Sequence, residues 1–192
     1  FFLFDEPDVP EAMIEPLAVD FKASGYEIAP LMERILGSNL CFSEFSIARK
    51  IRSPVEFALG LLRGLESQTD SFLLSRELTF LGQSLFYPPN VKGWDGGRAW
   101  INSSTLLARA NLVRRLVDAK KDRFAEGQLA ELLARYDCQQ PEEFVDWLLD
   151  LFVAVPVPTT ARTQLIELAK QNKSQPGEVV HALCTLPEFQ LA

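Results

Sequence analysis

Length, composition and charge place this sequence in the globular class and exclude several kinds of partner. Its 192 residues are 47% hydrophobic and 23% charged, which is enough to bury a sizeable core. The formal net charge of −7 disfavours nucleic acid as a partner, because contacts with phosphates need a cationic surface. No run approaches the ~20 apolar residues of a membrane-spanning helix, so we expect no membrane insertion.

One segment departs from the acidic balance. Between Arg109 and Arg123, six basic residues accompany two aspartates, which gives a local balance of +4. We interpret this run as a solvated helix face. Its basic residues are Arg109, Arg114, Arg115, Lys120, Lys121 and Arg123.

The cysteines and the single histidine offer little for metal or nucleophilic chemistry. Cys41, Cys138 and Cys184 are far apart and lack the spacing of metal ligands, so we expect small buried side chains with at most one bridged pair. His181 lies in a helical segment with Cys184 three residues later, and no third group completes a catalytic arrangement. We therefore expect no metal and no cofactor, and the sequence assigns no catalytic residue.

Apolar side chains recur with helical spacing almost throughout, and alternation with a period of two is nearly absent. The sequence therefore predicts an all-α fold, a multi-helix bundle with one long ordered loop and no significant sheet. A first helix is expected from about Pro10 to Ala23, with Pro16 either kinking it or marking its start. A second helix should carry Ile28, Leu31, Met32, Ile35 and Leu36 on one face.

The clearest helix start is at Ser53, where Pro54 suits the first helical position and Glu56 completes a capping box. Gly60 and Gly64 within this helix predict close approach of another backbone. The buried stripe should consist of Val55, Ala58, Leu59, Leu62 and Leu65.

Two further caps are predicted in the middle of the chain. Asp70 should begin a helix that Gly82 ends. Beyond a long irregular stretch, Asn102 or Ser103 should cap the next helix. Its buried side is expected to carry Leu106, Leu107, Ala110, Val113 and Val117.

The remaining sequence predicts a helical tail. One helix should bury Leu129, Leu132, Leu133 and Tyr136, another should begin at Pro141, and two more are expected near residues 160–171 and 176–184. Residues 155–158 carry two prolines and cannot be helical, which makes them the best candidate for a subdomain boundary. We divide the chain into a helical core, 1–120, and a tail, 121–192, that forms a possible subdomain packed on the core.

Residues 83–102 form the segment that helical propensity cannot explain. Loops of this length are uncommon in compact domains, and the aromatic content argues for order. The two tryptophans could form a stacking platform with a polar rim for a sugar or peptide, or the loop could dock a partner domain. The favoured interpretation is that the rings pack on helices and the polar groups bond to the loop backbone. The candidate binding residues are Asn90, Lys92, Trp94, Asp95, Arg98, Trp100, Asn102 and, further along, Asn111.

The run from Leu81 to Asn111 closely resembles the signature of the bacterial family known as domain of unknown function eighteen-hundred. Two flanking pieces, Lys50–Glu56 and Ser24–Leu31, also resemble this family. The resemblance spans about the first 115 residues, and we expect a variable helical tail after them.

This resemblance implies that the chain is the C-terminal portion of a longer protein with a large N-terminal helical part. It also implies a periplasmic or extracellular setting, and a gene neighbour that is similar to sulfatases. The preferred hypothesis is an interaction or scaffold module whose partner is another protein or the missing N-terminal region. The alternative is part of a hydrolase-like enzyme completed by that region, with Lys92, Asp95, Arg98 and Asn111 contributing. Convergence of these polar groups in an open cleft would favour the enzyme.

Overall fold

The computed structural model describes residues 9–118, 127–136, 138, 140–172 and 175–192. These residues confirm the all-α class, and the extended pairing among them is a single antiparallel bridge between Ile51 and Leu191. The helices are α1 (Glu11–Ala23), α2 (Ile28–Leu36), α3 (Pro54–Gly64), α4 (Ser71–Phe80), α5 (Ser103–Asp118), α6 (Gly127–Arg135), α7 (Pro141–Phe152), α8 (Thr159–Gln171) and α9 (Pro176–Cys184), with short 3₁₀ turns at Gly97–Trp100 and Glu188–Gln190.

The chain divides into two compact units, Phe1–Lys50 and Ile51–Ala192. In the first unit α1 packs on α2, and α1 runs through Pro16 without ending there. Neither of these two helices has a buried residue. The apolar face predicted for the second helix is therefore at best partly covered.

The start of α3 is as predicted, but its buried face is shifted. The Ser53 hydroxyl accepts a hydrogen bond from the Glu56 N–H, and the Glu56 carboxylate accepts one from the Ser53 N–H. Phe57 and Leu61 are fully buried, whereas Leu59 is exposed. The prediction of Leu59 in the stripe was wrong because the neighbouring helices cover the adjacent face.

The two glycines of α3 differ in their surroundings. A Cβ on Gly64 would overlap the ring of Phe152, whereas a Cβ on Gly60 would meet no atom within 4 Å. The predicted close approach therefore occurs at Gly64 alone, and it is made by a side chain rather than by a backbone.

Both caps predicted in the middle of the chain are present, but the face that α5 buries is different. Asp70 accepts hydrogen bonds from the backbone N–H groups of α4, and Asn102 accepts one from the N–H of Thr105. Leu106 and Leu107 are exposed, which corrects their prediction as core residues. The buried positions of α5 are Arg109, Leu112, Val113 and Leu116.

The buried position of Arg109 also corrects the interpretation of the basic run. Arg109 is 1% exposed, whereas Arg114 and Arg115 are partly exposed and pair with Glu178 and Glu77. Lys120, Lys121 and Arg123 lie outside the described residues.

The second unit has its core where α9 packs on α5, α7 and α8, and α7 packs on α3. Its fully buried side chains include Val179, Val180, Leu183 and Phe189. Residues 155–158 are non-helical, as predicted, but they connect α7 and α8, which pack on each other. They are therefore not a boundary between compact units.

None of the three cysteines forms a disulfide with another described residue. Cys138 and Cys184 are buried, as expected for small apolar side chains, and Cys41 is partly exposed.

Candidate functional site

Both ends of the loop 83–102 are fixed to the helices of the second unit. At its start, the side-chain oxygen of Gln83 accepts a hydrogen bond of 3.0 Å from the N–H of Val55, one of the donors that the first turn of α3 leaves unpaired. At its end, Trp100 is 8% exposed, and its carbonyl accepts a bond of 2.9 Å from the Thr105 hydroxyl. The loop is therefore held between α3 and α5.

Residues 86–91, called the tip of the loop below, present their large apolar side chains to solvent. Phe86 is 98% exposed and Tyr87 is 81% exposed, and Val91 is fully exposed. Phe86 also has a φ of +60°, a left-handed conformation that bulky residues rarely adopt. The favoured packing of aromatic rings on helices thus holds for Trp100, partly for Trp94, which is half-buried, and not for the tip.

The predicted polar residues are mostly engaged within the loop and its flanks. The Asn90 side-chain oxygen accepts a hydrogen bond of 2.9 Å from the N–H of Lys92, and the Lys92 ammonium lies 3.4 Å from the Asp95 carboxylate. Asn102 caps α5 through a reciprocal pair of bonds with Thr105, both 2.9 Å. These contacts stabilise turns and a helix start, as the packed interpretation expects.

The other two predicted polar residues, Arg98 and Asn111, take no part in these contacts. Arg98 lies exposed in the 3₁₀ turn, and Asn111 lies exposed two turns into α5. In the part of the chain that the structure describes, neither forms a hydrogen bond with another predicted site residue. The structure thus pairs Lys92 with Asp95 and does not gather the set in one cleft.

The sequence interpretation missed a pair of neighbouring arginines, of which Arg109 is buried and Arg52 is partly buried. The Arg109 guanidinium donates to the Gln190 side-chain oxygen at 3.0 Å and to the Arg52 carbonyl at 2.7 Å, and it lies 4.9 Å from the centre of the Phe57 ring. Arg52 in turn donates to the Phe152 carbonyl at 2.8 Å. The sequence does carry a signal for the burial of Arg109. Arg109, Leu112, Val113 and Leu116 follow the i, i+3, i+4, i+7 spacing of one helix face.

Burial governs the ionisation of this pair. Desolvation and, secondarily, the positive charge of Arg52 lower the pKa of Arg109 to about 10. Desolvation likewise lowers the pKa of Arg52. Arg109 still carries its charge at neutral pH, since its pKa stays well above 7. The core of this unit thus contains a buried cation that hydrogen-bonds to neutral acceptors.

A solvent-open groove of about 280 Å³ lies beside α3. None of the predicted loop residues lines it. Its walls are formed by Arg52, Glu56, Gly60, Gly64, Leu151, Phe152 and Ala192.

The described residues contain neither a cluster of metal ligands nor a membrane-spanning helix. No group of three or more histidine, cysteine or acidic side chains there could hold a metal ion. No helix of the described segments is both long enough and apolar enough to cross a membrane.

Comparison with known proteins identifies a family. The model of the family described as protein of unknown function (DUF1800) matches residues 1–191. No curated protein and no solved structure was found to match. The match includes the helices after residue 126, which we expected to be a variable tail. The family resemblance therefore extends well beyond the first 115 or so residues. The chain belongs to the DUF1800 family.

Proposed function

We propose that this chain is a helical interaction module of an exported bacterial protein, and that the loop 83–102 binds a partner protein. The observation that supports this most is the contrast within the loop. Its ends are fixed to α3 and α5, and its tip holds Phe86 and Tyr87 in solvent.

The energetics of the loop tip favour binding. Burying a large apolar side chain in a partner contributes roughly 1.5–3 kcal/mol, and aromatic residues are enriched among the side chains that dominate interface energies. The left-handed conformation of Phe86 costs on the order of 1–3 kcal/mol. A conformation of this kind is typical of functional segments, because surrounding structure must stabilise it.

Exposed aromatic side chains are also present on α4, the helix that precedes the loop. The Ser84 hydroxyl donates to the Thr79 hydroxyl at 3.2 Å, which holds the start of the loop against the last turn of that helix. Phe72 and Phe80 of α4 are both largely exposed. A partner with an apolar recess would cover aromatic side chains from both elements.

The polar groups give less support to the hydrolase alternative. Catalytic acids and bases must face a site where a substrate can approach. Lys92 and Asp95 pair with each other on an exposed turn, and Asn90 bonds to the loop backbone. An interaction role needs none of them free, because polar residues commonly surround the apolar centre of an interface.

The partner that we propose is the protein encoded beside members of this family. The test is to co-express the two proteins and measure complex formation by affinity capture and size-exclusion chromatography. We expect a complex with the wild-type chain and at least about tenfold weaker binding for a variant with Phe86→Ser and Tyr87→Ser, which corresponds to about 1.4 kcal/mol.

The chain offers a matched control pair. Phe42 and Phe45 are 73% and 76% exposed but belong to the first unit, so a variant with Phe42→Ser and Phe45→Ser should bind as the wild type does. No complex with the wild type, or equal binding by both double variants, would contradict the proposal.

A further inference from the structure

Both ends of the loop 83–102 are attached to the start of α3. At the beginning of the loop, the side-chain oxygen of Gln83 accepts a hydrogen bond of 3.0 Å from the Val55 N–H. Helix α5 follows the loop directly, and the Arg109 guanidinium on this helix donates to the Arg52 carbonyl at 2.7 Å. The start of α3 therefore sets the spacing between the two ends of the loop.

Gln190 holds this attachment from the other side. It lies in the 3₁₀ turn Glu188–Gln190 and is 7% exposed. Its side-chain oxygen accepts a hydrogen bond of 3.0 Å from the Arg109 guanidinium, and its backbone carbonyl accepts one of 2.8 Å from the Arg52 N–H. Both backbone polar groups of Arg52 are thus engaged, one by Gln190 itself and one by the arginine that Gln190 contacts.

The surroundings leave Gln190 and Arg109 little freedom to move. The Gln190 side-chain nitrogen donates to the Cys184 carbonyl at 2.8 Å. The Nε of Arg109 is buried without a hydrogen bond to any described atom, so this guanidinium depends on the acceptors of Gln190 and Arg52. Such bonds are costly to break, because the separated groups would be left without partners in the interior. Gln190 therefore connects the end of α9 with α5 and with the entry to α3.

The first turn of α3 is stiff enough to transmit a displacement. Pro54 has a fixed φ, and Ser53 belongs to the capping box that fixes this turn. Little freedom remains between the entry of the helix and its first N–H groups. A shift of Arg52 would therefore move the Val55 N–H relative to Gln83.

We propose that Gln190 is a positioning residue for the loop 83–102, which keeps Arg109 on the Arg52 carbonyl and so fixes the spacing of the loop ends. This inference deepens the function proposed for the loop, and its consequence for partner binding rests on that function. A turn that is distant in sequence thus sets the conformation in which the loop presents its exposed tip.

The test is amide hydrogen exchange of the full chain, measured by NMR without a partner, with the Val55 amide reporting its bond to Gln83. Gln190→Met removes the acceptor for Arg109 at nearly unchanged volume, and we expect Val55 to exchange at least about tenfold faster. Gln190→Glu keeps that acceptor, so the rate should stay within about threefold of the wild type. If circular dichroism shows that Gln190→Met does not fold, Gln190→Asn, which withdraws the same amide by one methylene, carries the same expectation.

Leu165→Ala is the matched control. It opens a cavity in the core of the same unit, and none of the bonds described above involves α8. An amide that exchanges by local opening does not follow a loss of global stability, so Val55 should exchange as in the wild type.

Three results would overturn the inference. They are an unchanged rate for Val55 in Gln190→Met, an equal acceleration in Gln190→Glu, and an equal acceleration in Leu165→Ala. Because no partner takes part, this outcome is independent of whether the loop binds one, which the co-expression experiment decides.

Discussion

At the scale of single residues, Arg109 illustrates how burial overrides composition. It belongs to a basic run that reads as a solvated face, yet its guanidinium is enclosed and bonds to Gln190 and to the Arg52 carbonyl. Net charge along a sequence does not report which face of a helix a neighbour covers. The helical register of Arg109 with Leu112 and Leu116 did carry that information, because the three lie on one face of α5.

Replacing Arg109 should therefore destabilise the protein more than replacing an exposed arginine. Arg109→Met leaves one buried and one partly buried acceptor without a donor, and we expect a loss of about 2–3 kcal/mol in the free energy of unfolding. The control is Arg115→Met, which breaks an exposed pair with Glu77 and should cost about 0–1 kcal/mol. Urea denaturation measures both, and equal effects of the two substitutions would contradict the buried network.

The two glycines of α3 give a second contrast at this scale. Gly60→Ala should stabilise the protein by about 0.5–1 kcal/mol, because alanine loses less backbone entropy in a helix and meets open space here. Gly64→Ala should destabilise it by about 1–3 kcal/mol, because the new methyl group would overlap Phe152. Thermal unfolding compares the two variants. The packing of α3 on α7 would be in doubt if both shifts had the same sign.

At the scale of elements, helix starts were predicted well because their determinants are local. Ser53 with Glu56, Asp70, and Asn102 each form the cap that three or four residues of sequence specify. The buried faces were predicted less well. Leu59 and Leu107 are as apolar as their buried neighbours, and their exposure depends on which helices pack nearby, a property of distant sequence.

At the connection between α7 and α8, too, the local structure was predicted and the packing was not. Its prolines correctly predicted a break in the helix, but the two helices pack together, and the Arg162 guanidinium donates two bonds of 2.7 Å to the Asp146 carboxylate across the break. These bonds lower the pKa of Asp146 below its ordinary value. Because this pKa is depressed in the folded state, the stabilisation is present above the ordinary pKa and is lost as the pH falls through the folded value.

Asp146→Asn should therefore reduce the loss of stability in acid. We expect the melting temperature of the variant to change less than that of the wild type as the pH falls below about 4, the ordinary range of an aspartate. Glu167→Gln on α8 is the control. Identical acid profiles for the wild type and Asp146→Asn would show that the pair contributes nothing to the pH dependence.

At the scale of the whole molecule, the sequence predicted the fold class and the family, and it singled out the loop that distinguishes the chain. It did not predict how the loop divides into a buried end and an exposed tip. Trp100 and Tyr87 are both aromatic, yet Trp100, whose carbonyl bonds to Thr105, is buried and Tyr87 is exposed. The paired polar groups could be anticipated only as one of several alternatives.

The most direct measurement of the central claim is hydroxyl-radical footprinting of the full chain, alone and with the partner protein that we propose. We predict that Phe86 and Tyr87 react rapidly in the free chain and become protected in the complex, whereas Trp100 is protected in both. Protection of Tyr87 without the partner would assign the tip to another part of the same polypeptide. That result, or a reactivity of Tyr87 that the partner leaves unchanged, would contradict the account.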